Sequence, residues 1–207
     1  MSQDLPIYSD VPLRTGLQFA ALEQLKGHED AAVRERADSL IGAMESASGA
    51  IAARTNLSVV SRESLLATHA LLFAGRSGAG DLRKTEMQPL YRGQDCAPPE
   101  FLENSIGNLV TWFTAESFTQ IHPIEQCALT ITRIVDIWPF EFGNLSVAVV
   151  FGNLALSRAG LTPFFVLPEH RREFEKVIAQ AMTIDMQPLV NAIFQTVRKE
   201  MESLAKR

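Results

Sequence analysis

The sequence has few cysteines, no excess of basic charge and no long apolar run. Its 207 residues include two cysteines, Cys96 and Cys127, which form neither a C-x-x-C pair nor a Cys/His cluster. This spacing disfavours a disulfide scaffold, and we expect no metal site or redox motif. The formal net charge of -5 lacks the basic character of most nucleic-acid binders, so we expect no nucleic-acid partner.

Signals for export and membrane insertion are also missing. The most apolar stretch, residues 145–156, is interrupted by Ser146, Gly152 and Asn153, and it is shorter than the roughly 20 residues that a spanning helix needs. The N-terminal sequence MSQDLPIYSD is acidic and polar where a secretory signal has a basic start and an apolar run. We therefore expect a cytoplasmic protein without a membrane partner.

The apolar residues are spaced for helices. Hydrophobic residues make up 46% of the chain and charged residues 21%, as in soluble globular proteins, and apolar positions recur every three or four residues. We predict a mainly α protein in which residues 75–80 form a glycine-rich loop and residues 82–96 form at most a β-hairpin. The predicted helices cover residues 17–25, 31–53, 61–73, 98–113, 123–137 and 144–159, with another from about residue 168 and a last one capped by Asp185.

One helix should lie at the centre of the bundle. Residues 144–160 are apolar on nearly every side, which is typical of a helix surrounded by others. Arg158 in the last turn, Gly160 beyond it and then Pro163 form a stop signal. We expect one compact domain overall, with residues 1–39 as an N-terminal arm with helices and residues 40–207 as the main unit.

The segment before this helix resembles a known signature. IWPFEFGNLSVAV, residues 137–149, resembles the motif H-P-F-x-D/E-G-N-G-R-x-x-R of the Fic (fido) family. LLATHALLFAG at residues 65–75 resembles the first core helix of that family, AGDLRK resembles its flap, and IHPIEQCALTITRIVDI resembles the helix before the signature. IDMQPLVNAIFQTV is similar to its late helix. The resemblance implies a Fic-like helical bundle with a small β-hairpin flap, and it assigns residues 40–207 to that domain.

The resemblance also implies a chemistry. Members of the family typically transfer AMP from ATP to hydroxyl side chains of target proteins. Intact members use ATP with magnesium. For this chain we expect no cofactor, because its signature departs from the family motif at the positions that carry the chemistry.

Five positions of the signature differ. Trp138 stands where the family has its general base, and indole has no basic nitrogen. Phe142 stands where an acidic residue holds the metal, and it offers no oxygen ligand. Leu145 replaces a glycine that lets phosphate approach the backbone, while Ser146 and Val149 replace two phosphate-binding arginines. We therefore expect no catalytic residue and no metal site.

The remaining loop residues define a degenerate nucleotide-binding loop. Glu141 lies beside the metal position, but a shift of one residue in a tight loop redirects the side chain. The loop comprises Trp138, Pro139, Phe140, Glu141, Phe142, Gly143, Asn144, Leu145, Ser146 and Val149.

A second family motif is also degenerate. Many members carry an inhibitory helix, S/T-x-x-x-E-G/N, whose glutamate pairs with a signature arginine, and MESASGAIAAR resembles it. Ser48 fits its first position, but Ala52 occupies the position of the glutamate. The inhibitory glutamate and the arginine that it would bind are both missing.

Other polar side chains receive structural interpretations. His69 should be a hydrogen-bonded group in a core helix, and His122 should start the helix at Pro123. Arg83 and Arg92 flank the flap-like segment and are interpreted as solvated. Trp138 and Phe142 are interpreted as apolar plugs in a vacated cleft, with a remodelled ligand pocket as the alternative.

Three functions remain open. The first is a catalytically inactive pseudoenzyme that acts as a binding or regulatory module, with a protein partner or self-association. The second is a rebuilt transferase in which Glu141, Asn144 and Ser146 handle another phosphate-containing substrate. The third is a helical oligomer that pairs with another copy through the flap edge or the N-terminal helices.

Overall fold

The protein is helical throughout the part of the chain that the structure describes. The computed structural model describes residues 61–162, 164, 171–183 and 185–205. Within these ranges it has seven α-helices, one 3-10 turn at Pro99–Phe101 and no β-strand. The helices are α1 Arg62–Leu72, α2 Leu102–Thr114, α3 Glu116–Thr119, α4 Pro123–Ile137, α5 Asn144–Arg158, α6 Arg171–Met182 and α7 Gln187–Ala205.

Local signals set several helix ends where the sequence predicts them. The Ser61 hydroxyl accepts a hydrogen bond from the Ser64 N–H at 3.1 Å, and the Ser64 hydroxyl accepts one from the Ser61 N–H at 2.8 Å, so α1 starts with a capping box. Asp185 accepts from the Gln187 N–H at 3.2 Å where α7 begins. At the end of α5, Gly160 has a φ of 70°, and the Leu161 N–H donates to the Leu156 carbonyl at 2.9 Å.

The long helix α5 is central, as predicted. It packs most extensively against α4, and every residue from 145 to 153 is buried. Gly152 allows this close approach, because a Cβ at that position would lie 2.9 Å from the Cys127 Sγ and 3.0 Å from the Ile131 Cγ1. Helices α6 and α7 pack on each other and on α4.

The predicted β-hairpin flap is wrong. Residues 82–97, here called the strap, contain no strand, although all of them are described. The backbone N–H groups of Leu90 and Tyr91 donate to the Gln94 side-chain oxygen, and Pro89 has no N–H to donate. Other strap groups bond to α4 and to residues 138–143, here called the signature loop. The strap therefore forms hydrogen bonds with neighbouring elements in place of an internal ladder.

Some predictions lie outside the described residues. These are the helices at 17–25 and 31–53, the division at residue 39, the motif residues Ser48 and Ala52, and the start of a helix near residue 168. The structure adds one element that the sequence pattern does not predict, the short α3. None of the described helices is long and apolar enough to span a membrane.

Candidate functional site at the start of the central helix

The signature loop begins with a reversal of the chain at Trp138. Its N–H donates to the Ile134 carbonyl at 3.0 Å and closes α4, while its backbone adopts a left-handed conformation with a φ of 51°. The indole is 5% exposed. Among the described residues, none accepts a hydrogen bond from its Nε1. The predicted position of the base thus holds a residue whose backbone caps a helix and whose side chain is buried.

A buried arginine holds this turn in place. Arg83 is 2% exposed, so its interpretation as a solvated residue is wrong. Its Nε donates to the Trp138 carbonyl at 2.6 Å, its Nη1 to the Thr85 carbonyl at 2.8 Å and its Nη2 to the Ala97 carbonyl. The guanidinium therefore binds carbonyl groups near both ends of the strap and at the C-terminal end of α4, where the helix dipole favours a cation.

Asn144 closes the loop from the other side. Its Oδ1 accepts from the Phe140 N–H and its Nδ2 donates to the Phe140 carbonyl, both at 2.8 Å. The side chain is completely buried. Since both amide atoms bind backbone, Asn144 serves the shape of the loop.

His69 connects three segments. Its Nδ1 accepts from the Gly80 N–H at 2.8 Å, so the proton lies on Nε2, which donates to the Phe142 carbonyl at 3.0 Å. Its ring stacks on Phe140 with centroids 3.9 Å apart. Burial lowers the pKa of His69 to about 4, so the imidazole is neutral near pH 7. These contacts agree with its interpretation as a structural group.

Phe142 and Gly143 pack against α1. The ring of Phe142 is 9% exposed and meets Phe73 edge to face at 5.0 Å, and the Arg76 guanidinium lies 3.6 Å from its centroid. Gly143 has a φ of 73°, and a Cβ built there would overlap the Phe73 ring. Only glycine fits both the conformation and the space.

Comparison with known proteins gives a family match for part of the chain. Residues 59–156 match the family described as Fic/DOC. This agrees with the resemblance of its signature.

The curated relatives that the chain matches are larger proteins. Protein adenylyltransferase fic-1 of Caenorhabditis elegans is 30% identical over 116 residues, which is 56% of this chain and 22% of the relative. Protein adenylyltransferase Fic of Culex quinquefasciatus is 27% identical over 124 residues, 59% of this chain and 24% of the relative. The chain therefore spans less than a quarter of the length of these relatives.

Solved structures share the fold. A fragment of Fic-1 from C. elegans superposes with a TM-score of 0.73 at 21% identity, covering 95% of this chain and 60% of that one. A Fic domain containing signaling protein from Bacteroides thetaiotaomicron gives a TM-score of 0.66 at 18% identity, covering 85% and 73%. The two superpositions establish the mainly α Fic-like fold.

The residues at the signature positions do not fit the divalent metal that the resemblance implies. In residues 61–162, 164, 171–183 and 185–205 no group of three or more His, Cys, Asp or Glu side chains could hold a metal ion. Phe142 offers no oxygen. Glu141, the one charged side chain between positions 138 and 149, accepts hydrogen bonds from the Thr85 hydroxyl at 2.8 and 3.0 Å and from the Lys84 N–H at 3.3 Å.

The residues at the phosphate positions do not fit either. Leu145, Ser146 and Val149 are at most 1% exposed, and none of them carries a charge. The Ser146 hydroxyl has no hydrogen-bond partner among the described residues. Polyphosphate binding needs cationic or N–H donors that reach the ligand, and these three side chains supply no cation.

The structure therefore places all ten predicted loop residues in the signature loop and the first turns of α5, and all of them except Glu141 are buried. Sequence reasoning missed the three residues of the strap that hold this turn, Arg83, Lys84 and Thr85. Their signals in the sequence were proximity to a glycine-rich segment and the flap-like AGDLRK, which contains Arg83 and Lys84, but nothing in their spacing indicates a contact with the loop more than 50 positions later.

Proposed function

We propose that this Fic domain has lost AMP transfer and acts as a binding or regulatory module. The main observation in support of this proposal is that buried apolar side chains occupy the base and metal positions. Trp138, Phe142 and Leu145 belong to one hydrophobic core cluster with Phe140 and are 5%, 9% and 1% exposed. This burial supports their interpretation as plugs of a vacated cleft.

The chemistry of the loop supports the loss of activity. A positioned general base contributes about 100- to 10,000-fold in rate, and Trp138 cannot accept a proton. The nearest carboxylate in the loop, Glu141, is held by the strap. Without a metal ligand and a cation at these positions, the charge that develops on transferred phosphate has no stabilising group.

A protein partner is the proposed ligand of the module. Four large hydrophobic side chains are exposed among the described residues, at 62% for Leu90, 53% for Phe101, 43% for Phe194 and 41% for Met201. They support association with a protein or with another copy of the chain. We propose no role in binding nucleic acid or membranes, and a cytoplasmic location.

A rebuilt transferase is the second candidate, and one observation favours it. The buried hydroxyl of Ser146 has no partner in the described part of the chain, so it could serve a ligand that enters the loop. Against this candidate, the Oδ1 and the Nδ2 of Asn144 are both hydrogen-bonded to the Phe140 backbone. Such an enzyme would act on another phosphate-containing substrate.

Transfer assays with labelled ATP and magnesium test the proposal. We expect no AMP incorporation into the protein or into added candidate proteins, with an intact Fic enzyme as the positive control. Incorporation that disappears in Glu141→Ala would overturn the proposal. Glu141 is exposed and its carboxylate bonds to the strap, so its substitution removes no buried side chain, whereas an Asn144 variant would remove a buried side chain that bonds to the loop backbone.

Thermal-shift screening separates the two candidates. A ligand that binds the folded state stabilises it by about 2.7 kcal/mol at one hundred times its Kd. We expect no shift with ATP and magnesium or with other phosphate compounds. A shift that is specific to one phosphate compound and absent in Ser146→Ala would favour the rebuilt transferase.

A further inference from the structure

Trp138 occupies an unfavourable conformation in the closed loop. A left-handed backbone costs a bulky residue about 1 kcal/mol or more, and a buried N–H without an acceptor adds a desolvation cost. Trp138 has both features, since its φ is 51° and no described residue accepts from its Nε1. A change of the backbone at this residue would relieve the first cost, and exposure of the ring to water would relieve the second.

Two sets of contacts from the strap oppose this change. The buried set consists of the bonds from the Arg83 Nε to the Trp138 carbonyl and from the Arg83 backbone N–H to the Pro139 carbonyl, the latter at 2.9 Å. The second is at the surface, where the hydroxyl of Thr85 and the N–H of Lys84 donate to Glu141, three residues after Trp138. All three of these surface residues are exposed. Because water competes for an exposed contact, the surface contact is the weaker of the two.

We propose that the strap and Trp138 form a two-state device and that the contact of Glu141 with Thr85 and Lys84 is its releasable latch. In the closed state the latch and Arg83 hold the signature loop with the indole buried. When the latch opens, the N-terminal part of the strap, around Lys84 and Thr85, separates from the signature loop and the indole of Trp138 turns toward water. A partner that binds Glu141 in place of Thr85 would favour the open state, because a ligand shifts an equilibrium toward the state it binds. The device does not depend on whether the domain transfers AMP.

Hydrogen exchange followed by mass spectrometry tests the latch in the full chain. Glu141→Ala removes the acceptor of the hydrogen bonds from Thr85 and Lys84, and we expect exchange in peptides covering residues 82–97 and 138–142 to accelerate by one common factor, about three- to tenfold. Glu141→Gln keeps one acceptor oxygen and should fall between the wild type and Glu141→Ala. Thr85→Val should also accelerate exchange. Combined with Glu141→Ala it should add little, because the two substitutions remove the same contact.

Two controls make the result decisive. Glu86→Ala changes an exposed carboxylate next to the latch, one without a hydrogen bond in the described ranges, and it should leave exchange unchanged. The peptide covering α1 should also be unchanged in all variants. Acceleration of the strap without the loop, or of neither, overturns the device. Acceleration of α1 by the same factor also overturns it, because the contact would then stabilise the whole fold.

Fluorescence gives an independent measure of the indole. The chain has two tryptophans, so Trp112→Phe leaves Trp138 as the single emitter. In this background Glu141→Ala should shift emission to longer wavelength and raise the quenching constant for acrylamide, while Glu86→Ala should do neither. If exchange accelerates while quenching stays constant, the strap opens without Trp138 and the proposed coupling is wrong.

Discussion

The crossing of α4 and α5 and the junction of the strap with the signature loop are held by different forces. In the crossing, Ile131 and Val149 are completely buried and contribute by apolar burial and close packing. At the junction, buried Arg83 donates a hydrogen bond to the Trp138 carbonyl, and buried Asn144 accepts one from the Phe140 N–H. Many apolar residues can fill a helix crossing, whereas a hydrogen bond to a loop carbonyl depends on one side chain.

This difference explains how the signature loop can be held in shape independently of the residues to which the resemblance assigns the chemistry. Gly143 and Asn144 match the family motif, and both have structural roles here, one beside the Phe73 ring and the other on the Phe140 backbone. Preservation of these two residues is therefore compatible with an inactive domain. Fold and function have separate requirements even within one loop.

Among these variants, Gly143→Ala should cause the largest loss of folding stability. The new Cβ overlaps the Phe73 ring and forces alanine into a left-handed conformation, so we expect a loss of more than about 4 kcal/mol or a failure to fold. Gly160→Ala is the matched control, because its φ of 70° is similar and no atom lies within 4 Å of its Cβ. It should lose about 1 kcal/mol in urea unfolding. Equal losses would show that the backbone conformation alone, without the ring, explains both.

Arg83→Met should have the next largest effect. It keeps an apolar stem but leaves three carbonyl acceptors without their donor, and we expect a loss of about 3 kcal/mol. Arg92→Met, at an exposed position in the same strap, should change stability by less than about 0.5 kcal/mol. Similar small losses for both variants in urea unfolding would contradict the role of Arg83 in the junction.

The pH dependence of stability should report on His69. The unfolded histidine has its pKa near 6.5 and the folded one near 4, so between these values the unfolded state binds more protons. Stability should therefore fall as the pH is lowered from about 6.5 to about 4, by at most about 3 kcal/mol from this residue.

The variant His69→Gln isolates this contribution. It should be less stable at pH 7, because Gly80 and Phe142 lose their partner, but its stability should vary less between pH 6.5 and 4. Parallel pH profiles for the two proteins, measured by urea unfolding, would show that other groups cause the dependence.

Alanine substitutions at two helix glycines, Gly152 and Gly107, should have the smallest effects on stability. Gly152→Ala inserts a methyl group 2.9 Å from the Cys127 Sγ and 3.1 Å from its carbonyl, and should cost about 2 kcal/mol. Gly107→Ala lies in α2 with no atom within 4 Å, and should gain about 0.5 kcal/mol from helix propensity. Opposite signs in thermal unfolding would confirm that packing, and not propensity, sets the role of Gly152.

Local signals in the sequence were sufficient to place the helices of the described core. Helix periodicity, the capping serine at Ser61 and the stop at Gly160 act within a few residues, so α1, α4 and α5 begin and end near their predicted positions. The apolar surface of α5 also indicated its central place. The signature segment could be found in the sequence because most of its residues are consecutive in the chain.

The tertiary structure decided the strap and the contacts that close the loop. Arg83 and Thr85 reach residues more than 50 positions away, and His69 reaches Phe142 across 73 positions. No periodicity records such pairs, because a single polar side chain chooses its partner only after the helices have brought the segments together. For the same reason the strap could not be separated from a β-hairpin by sequence, since its backbone groups bind other elements. The sequence therefore determined which helices form, and the packing of those helices determined that Arg83 is a buried clamp and Trp138 a buried cap.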